Sequence, residues 1–423
     1  MIRSSDYNRR NFLAQFSSVA SLGAVSSWAP WAVQAALAAQ SPAANDAVRI
    51  GVIGTGRRGR TLLLNLMQAK GCEVVALCDD YAPHLDQAAA LMPKPVRRFA
   101  DYRAMIDAGG LDAVVIATPL HWHARQTLDA FDAGLDVWCE KAMARTIGEC
   151  RAMVEGAKRK GRVLQIGHQR LFSPTYLDAI QKVRSGAIGT VTQVRASWHR
   201  NTSWRVPVPA GSGLEERLNW RLYRKFSGGL MTELATHQIQ VANWVFDSAP
   251  ERVMGSGSIC FWKDGRDVYD HVALIFEYSG GRKLVYTSHL NNRRYGAEEQ
   301  IQGSKGTIEP ALGRFYSEAA PPVPGLAKLA KDVANNARRP IPIGGRTWWP
   351  ELPVTTPGED LAWGEYDESM LQFEGFADAV RNRQPLPGHL REAYNSSVAS
   401  LLGEQAMRSG KAKRWDSRMS FPA

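Results

Sequence analysis

An apolar, β-branched run, Val48-Arg49-Ile50-Gly51-Val52-Ile53, passes without a break into Gly54-Thr55-Gly56-Arg57-Arg58-Gly59. Glycines at G-x-G-x-x-G spacing directly behind a strand leave few folds open. Gly54 permits the tight turn out of the strand, Gly56 lets backbone approach a pyrophosphate, and Gly59 lets the next helix pack close. That helix is predicted to begin near Arg60 and to run through Leu62, Leu63, Leu64, Leu66 and Met67, so its N-terminal amides and dipole face the anion. A second apolar run, 73–78, ends at Asp79, where the fingerprint requires a carboxylate for the adenosine ribose hydroxyls. An acidic group there repels a 2′-phosphate, so the pattern favours NAD over NADP. The expected cradle is Gly54, Thr55, Gly56, Arg57, Arg58, Gly59 and Asp79.

The same alternation continues. Helices are expected at 84–92, up to 108, at 124–133 and at 147–159, and strands at 111–119, 136–139 and 163–166. The basic stretch 93–98 is read as a connection. The continuous β-branched run in 111–119 marks a buried parallel strand, the fourth, which Pro119 ends at the carboxyl edge beside Thr118. The result is an α/β fold: a doubly wound parallel sheet of Rossmann type over 47–168. Beyond it the spacing shortens, with strands at 191–200, 251–262, 268–278 and 283–290 interrupted by a helix at 229–246. This predicts an α+β substrate-binding domain over 169–423 with a mostly antiparallel open sheet. The proline-rich stretch 310–357, with Arg346-Thr347-Trp348-Trp349-Pro350, reads as a surface excursion, and a last helix over 392–409 packs against the body.

Three features bound the biology. Asn8-Arg9-Arg10-Asn11-Phe12-Leu13 precedes an uncharged run that ends only at Asp46, with Ala36-Leu37-Ala38 as a cleavage motif. That resembles a twin-arginine signal peptide over 1–38, which implies a periplasmic protein with no membrane span after cleavage. The five cysteines are odd in number and contain no C-x-x-C, so neither a disulfide framework nor a zinc site is indicated. The net charge of +11 comes from scattered Lys and Arg without a recognition motif, which argues against nucleic acid and for a basic surface.

At the carboxyl end of strand 136–139 stand Glu140-Lys141-Ala142. A lysine at a strand end near the switch point can reach a substrate oxygen over the nicotinamide. Glu233 and His237 are four residues apart on one predicted helix and share a face. Gly167-His168-Gln169-Arg170, following the last Rossmann strand, brings Gln169 to nicotinamide or substrate. His121 and His123 lie just past Pro119, while Trp198-His199-Arg200-Asn201, Trp204 and Tyr269-Asp270-His271 offer stacking and hydrogen-bonding groups suited to carbohydrate. No histidine spacing supports a metal site.

With these residues in view, the chain resembles the Gfo/Idh/MocA oxidoreductases over nearly all of its mature length. The likeness rests on the glycine fingerprint, on Ala117-Thr118-Pro119 followed by His123, on Glu140-Lys141, and on Gly228-Gly229 leading to Glu233 and His237. The family pattern has proline where this chain has Ala142, and aspartate where it has Glu233. The resemblance implies that Thr118, Pro119, His123 and Glu140 border the cofactor, that Lys141, His237 and Glu233 are catalytic, and that the protein is a homodimer or homotetramer joined through the open sheet. His237 is the favoured base and Lys141 its electrostatic partner and proton relay, since histidine titrates near neutrality. The leading reading is an exported NAD-dependent oxidoreductase acting on a sugar or glycoside hydroxyl with a tightly held cofactor. The alternative is a redox-assisted glycosidase or lyase working through a 3-keto intermediate, and a third class is a non-catalytic NAD-binding protein.

Overall fold

The computed structural model describes residues 47–318, 358–362, 366–384 and 386–422. The signal-like segment and the stretch Arg346-Thr347-Trp348-Trp349-Pro350 lie outside them.

The first half is a six-stranded parallel sheet built from β1 (Val48–Ile53), β2 (Cys72–Cys78), β3 (Arg97–Phe99), β4 (Ala113–Ile116), β5 (Asp136–Cys139) and β6 (Leu164–Ile166), in the order β3-β2-β1-β4-β5-β6. Strand order reverses between β1 and β4, which opens a crevice at their carboxyl ends. β4 and β5 are buried along their whole length, as a parallel sheet covered on both faces requires. The connecting helices are α1 (Arg57–Leu66), α2 (Ala82–Ala89), α3 (Tyr102–Asp107), α4 (His123–Asp132) and α5 (Ile147–Lys160). α5 opens on a capping box: Glu149 N–H donates to the Thr146 hydroxyl, and Thr146 N–H donates to the Glu149 carboxylate.

Two details differ from the expectation. α1 starts at Arg57 instead of near Arg60, because Gly56 already serves as its extended N-cap. The basic connection contains the strand β3, whose Arg97 and Arg98 hide the apolar pattern that marks a strand; it survives as a partly exposed edge paired to β2.

The second half contains α6 (Pro174–Arg184), β7 (Val191–His199), a π-helical turn (Met231–Ala235) that runs directly into α7 (Thr236–Phe246), and the strands β8 (Arg252–Ser258), β9 (His271–Glu277), β10 (Lys283–His289), β11 (Ala297–Gly303), β12 (Gly306–Glu309), β13 (Arg314–Ser317) and β14 (Glu359–Asp360). Then come α8 (Glu368–Asn382), α9 (His389–Ser409) and β15 (Lys413–Arg414). The nine strands order as β14-β13-β12-β11-β7-β10-β9-β8-β15, antiparallel except for the β7-β10 pair. Buried Val272, Leu274, Phe276, Leu284 and Tyr286 alternate along β9 and β10 and pack with Ile239, Ala242 and Val245 of α7.

Strands β11 to β15 and helices α6 and α8 were not expected from the sequence. β11 reads Ala-Glu-Glu-Gln-Ile-Gln-Gly and buries Glu299 in an ion pair with Arg170, so its place depends on a partner 129 residues away. Residues 314–317, assigned to the surface excursion, form β13. α9 is buried on more than the one face expected. Tyr394, Val398 and Leu401 join the core around β4 and β5, while Ala399, Leu402 and Ala406 join the core under the second sheet. The last long helix therefore ties both halves together, and α8 adds Phe373, 4.9 Å from the Trp138 ring on β5.

Candidate active site

The glycine turn is shaped by contact. Gly54 has φ +87°, and a Cβ there would lie 2.7 Å from the Thr118 backbone nitrogen; a Cβ at Gly59 would overlap the Gly54 carbonyl oxygen. At Gly56 the nearest obstacle is the His84 imidazole, at 3.5 Å. No side chain caps α1 and its first turn holds no acid, so its leading N–H groups await an anion. Asp79 closes the far side, accepting from the backbone N–H groups of Thr55 at 2.7 Å and Tyr81 at 2.9 Å. Burial works against its charge, but hydrogen bonds from His84, Tyr81 and Thr55 outweigh that and hold its pKa below the usual carboxylate range. A phosphate-accepting helix end with an ionised carboxylate at the end of β2 fits a dinucleotide with a free ribose diol.

The switch point connects to the second half through charge. Arg58 Nε of α1 donates to Glu140 Oε1 at 2.6 Å, and the Lys141 N–H donates to Glu140 Oε2 at 2.9 Å. Burial disfavours the Glu140 charge, yet Arg58 and Lys141 bring its pKa below the ordinary value. Lys141 Nζ donates to the Glu233 carbonyl oxygen at 2.7 Å. Burial lowers the Lys141 pKa, against the opposing charges of Glu233 and Glu140. The Lys141–Ala142 peptide is cis.

Glu233 falls in the π-helical turn, and its carboxylate faces Arg221 Nε at 3.0 Å and the Ser227 hydroxyl at 3.0 Å. Its contact with Lys141 is through the backbone. His237, in the first turn of α7, is buried; its Nδ1 has no partner among the described residues. Burial, with the nearby charges of Lys141 and Arg170, drives its pKa well below the usual 6.5. The Trp198 ring lies 5.3 Å from it and the His168 ring 5.9 Å. Thus β5, the π-helical turn and α7 bring Lys141, the Glu233 backbone and His237 into one cluster.

The other expected residues divide. Thr118 donates its hydroxyl to Gln126 Oε1 at 2.6 Å, and Pro119 starts the turn into α4. Both nitrogens of His123 face backbone carbonyls, Ala142 and Thr118, each at 3.0 Å. His123 therefore lies between the end of β4 and the Lys141 loop, and burial, which lowers its pKa, favours a neutral ring that donates to one of the two carbonyls. Gln169 keeps a buried Oε1 without a partner. His121 sits against Phe226 at 4.6 Å, and burial pushes its pKa down to about 4. Asp270 braces its own loop through the N–H groups of Cys260, Phe261 and Trp262. His199 stacks on His289, and His271 lies tilted against the same ring, on the sheet face opposite Trp198. Sequence reasoning missed Arg221 and Ser227, which hold the Glu233 carboxylate, and Ser397 of α9, which accepts the Met143 N–H at 3.0 Å. None belongs to a motif: Arg221 and Ser227 fold back onto Glu233 from 12 and 6 residues before it, and Ser397 meets Met143 across 254 residues.

Among the described residues the cysteines are free thiols, no cluster of His, Cys, Asp or Glu has the arrangement of a metal site, and no helix is long and apolar enough to cross a membrane. A Rossmann-type nucleotide domain facing a mixed-sheet domain across a lysine and a histidine defines an NAD-dependent oxidoreductase. The particular family follows from its models: residues 48–168 match the Gfo/Idh/MocA oxidoreductase family, NAD-binding Rossmann fold, and residues 176–309 match the GFO/IDH/MocA C-terminal domain. The chain belongs to this family.

It is 27% identical over 289 residues to an inositol 2-dehydrogenase of Acidothermus cellulolyticus, covering 66% of this chain and 79% of that protein. It is also 27% identical over 394 residues to a glycosyl hydrolase family 109 protein of Shewanella putrefaciens, covering 86% and 83%. Among solved structures, the aldose-aldose oxidoreductase of Caulobacter crescentus superposes with a TM-score of 0.67 at 20% identity, over 87% of this chain and 100% of that one.

Proposed function

We propose that this protein oxidises a hydroxyl of a sugar or glycoside, passing the hydride to an NAD that stays bound between turnovers and is reoxidised by a second, carbonyl-bearing substrate, and that it works in the periplasm after twin-arginine export. The observation that carries the reading is the meeting of Lys141 and His237 beside the Arg58–Glu140 bridge from the glycine turn. NAD, when bound, supplies the ring that accepts hydride. His237, neutral through the physiological range, takes the hydroxyl proton; the Lys141 ammonium, anchored on the Glu233 carbonyl, stabilises the oxygen as its charge develops. Gly54, Gly56, Gly59, Asp79 and the N-terminus of α1 hold the dinucleotide, and Gln169 and Trp198 border the substrate.

Retention of the cofactor is supported by a segment of the second half that crosses to the first. Arg217 Nη2 pairs with Asp80 Oδ1 at 2.7 Å, and its guanidinium lies 5.8 Å from the centre of the Tyr81 ring, immediately beside Asp79. The open outer face of β8, β9 and β10, with Met254, Ala273, Ile275 and Val285 along it, suits a homodimer or homotetramer.

A second reading is favoured by the family 109 relative, which matches more of this chain than the inositol dehydrogenase does. In it, transient oxidation at C3 of a glycoside acidifies the C2 proton, the aglycone is eliminated, and return of the hydride leaves no net redox change. One experiment tests both. Holoenzyme is mixed with a panel of sugars and glycosides, following nicotinamide absorbance and product mass. Stoichiometric reduction of the bound nicotinamide marks the dehydrogenase, aglycone release without lasting reduction marks the second reading, and silence from NAD-loaded protein contradicts both. Lys-Lys in place of Arg9-Arg10 is expected to trap the protein in the cytoplasm; unchanged export contradicts the location.

A further inference from the structure

Arg200 directly follows β7 and lays its guanidinium over the Trp198 indole, 5.2 Å from the ring centre. The same indole lies 5.3 Å from His237, so one Trp198 ring links Arg200 to the proposed base. Among the described residues its guanidinium has neither a carboxylate nor a hydrogen-bond partner. Two further guanidiniums bear on it: burial, then Arg57 of α1, then Arg221, all act to lower its pKa. Arg221 is balanced by the Glu233 carboxylate at 3.0 Å and stacks on Trp220 at 4.3 Å. Among the described residues Arg57 and Arg200 have no such counter-charge. A cleft lined by one sign of charge concentrates ligands of the opposite sign, and an unpaired guanidinium fork matches carboxylate or phosphate oxygens in geometry.

We infer that Arg200 forms an anion subsite beside Lys141 and His237, and that the substrate is an acidic carbohydrate carrying a carboxylate or phosphate. The inference rests on the carbohydrate reading above and narrows it. A dinucleotide pyrophosphate is met by the α1 amides and Arg57. Arg200 and Arg221, by contrast, are carried by the second half, and Arg221 is braced by the residue whose carbonyl anchors Lys141. The basic balance of the chain, +11 over the full sequence with the signal-like segment included, draws the same class of molecule.

The test compares methyl uronides and sugar 6-phosphates with their neutral counterparts on NAD-loaded wild-type and Arg200→Gln enzymes, recording the second-order rate constant for reduction of the bound NAD and the NAD content. The wild type is expected to prefer the acidic member of a pair by about 10- to 100-fold, the scale of one charge-assisted contact. In Arg200→Gln that preference collapses while NAD content holds, and Arg200→Lys restores part of it. Equal treatment of acidic and neutral sugars by the wild type overturns the subsite and leaves the carbohydrate reading standing. Loss of NAD in Arg200→Gln also overturns it, because the anion held is then the cofactor's pyrophosphate. Failure of every sugar with NAD in place removes the carbohydrate reading as well.

Discussion

The glycine turn and the wall that faces it are built by opposite means. In the turn, position is set by neighbours a few residues apart, where a missing side chain at Gly59 lets α1 rest on the Gly54 carbonyl. In the wall, position is set by charges drawn from distant parts of the chain: Arg58 reaches Glu140 82 residues away, Lys141 reaches the Glu233 carbonyl 92 residues away, and Arg145 forks onto Glu404 across 259 residues. Nucleotide binding therefore tolerates almost no change in side-chain size, whereas the catalytic cluster depends on every member of a network being present. Substitutions on the two sides should fail differently.

The largest effect is expected at the turn. Gly59→Val forces β1 and α1 apart, costing about 3–5 kcal/mol of stability together with NAD binding; calorimetry and nucleotide content check both. Gly56→Ala sharpens the point, since there is room for its methyl in the protein, and it should weaken NAD binding with little change in melting temperature. On the opposite side, Arg58→Met strands the buried Glu140 carboxylate. A loss of about 2–3 kcal/mol is expected in chemical denaturation, discounted because Arg58 is partly exposed.

The pH profile of kcat/KM reads the network directly. His237 must be unprotonated, and its pKa is lowered, so activity should fall on the acid side only well below pH 6.5. Lys141 must stay protonated, and its pKa is also lowered, so the basic limb should begin below 10.5. Beyond either limb each pH unit costs about 1.4 kcal/mol. Thr146→Ala removes the α5 capping box for about 1 kcal/mol without changing the profile. Smallest of all, Arg217→Gln opens the exposed contact to Asp80, worth about 0.5 kcal/mol, and should speed NAD release about twofold in a displacement assay.

What was legible in the sequence follows the same division. The parallel sheet, the order of its helices and strands 136–139 and 163–166 were readable because buried parallel strands are largely apolar runs that alternate with helical segments. Lys141 and His237 were singled out by their places at a strand end and on a helix together with the resemblance to the Gfo/Idh/MocA oxidoreductases. The π-helical turn was not, and it directs the Glu233 carboxylate to Arg221 while its carbonyl takes Lys141. β11 was hidden because Glu298 and Glu299 break its alternation, and only the distant Arg170 makes a buried Glu299 tolerable. His123 looked like a cofactor contact from its neighbours, yet its two nitrogens face backbone carbonyls.

The central claim is that one imidazole and one ammonium, brought together from the two halves, move the proton that frees a hydride. Single-turnover reduction of the bound cofactor by a responsive sugar, compared between wild type and His237→Ala at equal NAD occupancy, tests it most directly. The account predicts slowing by about 10²- to 10⁴-fold with the nucleotide still in place; an unchanged rate in the variant would contradict it.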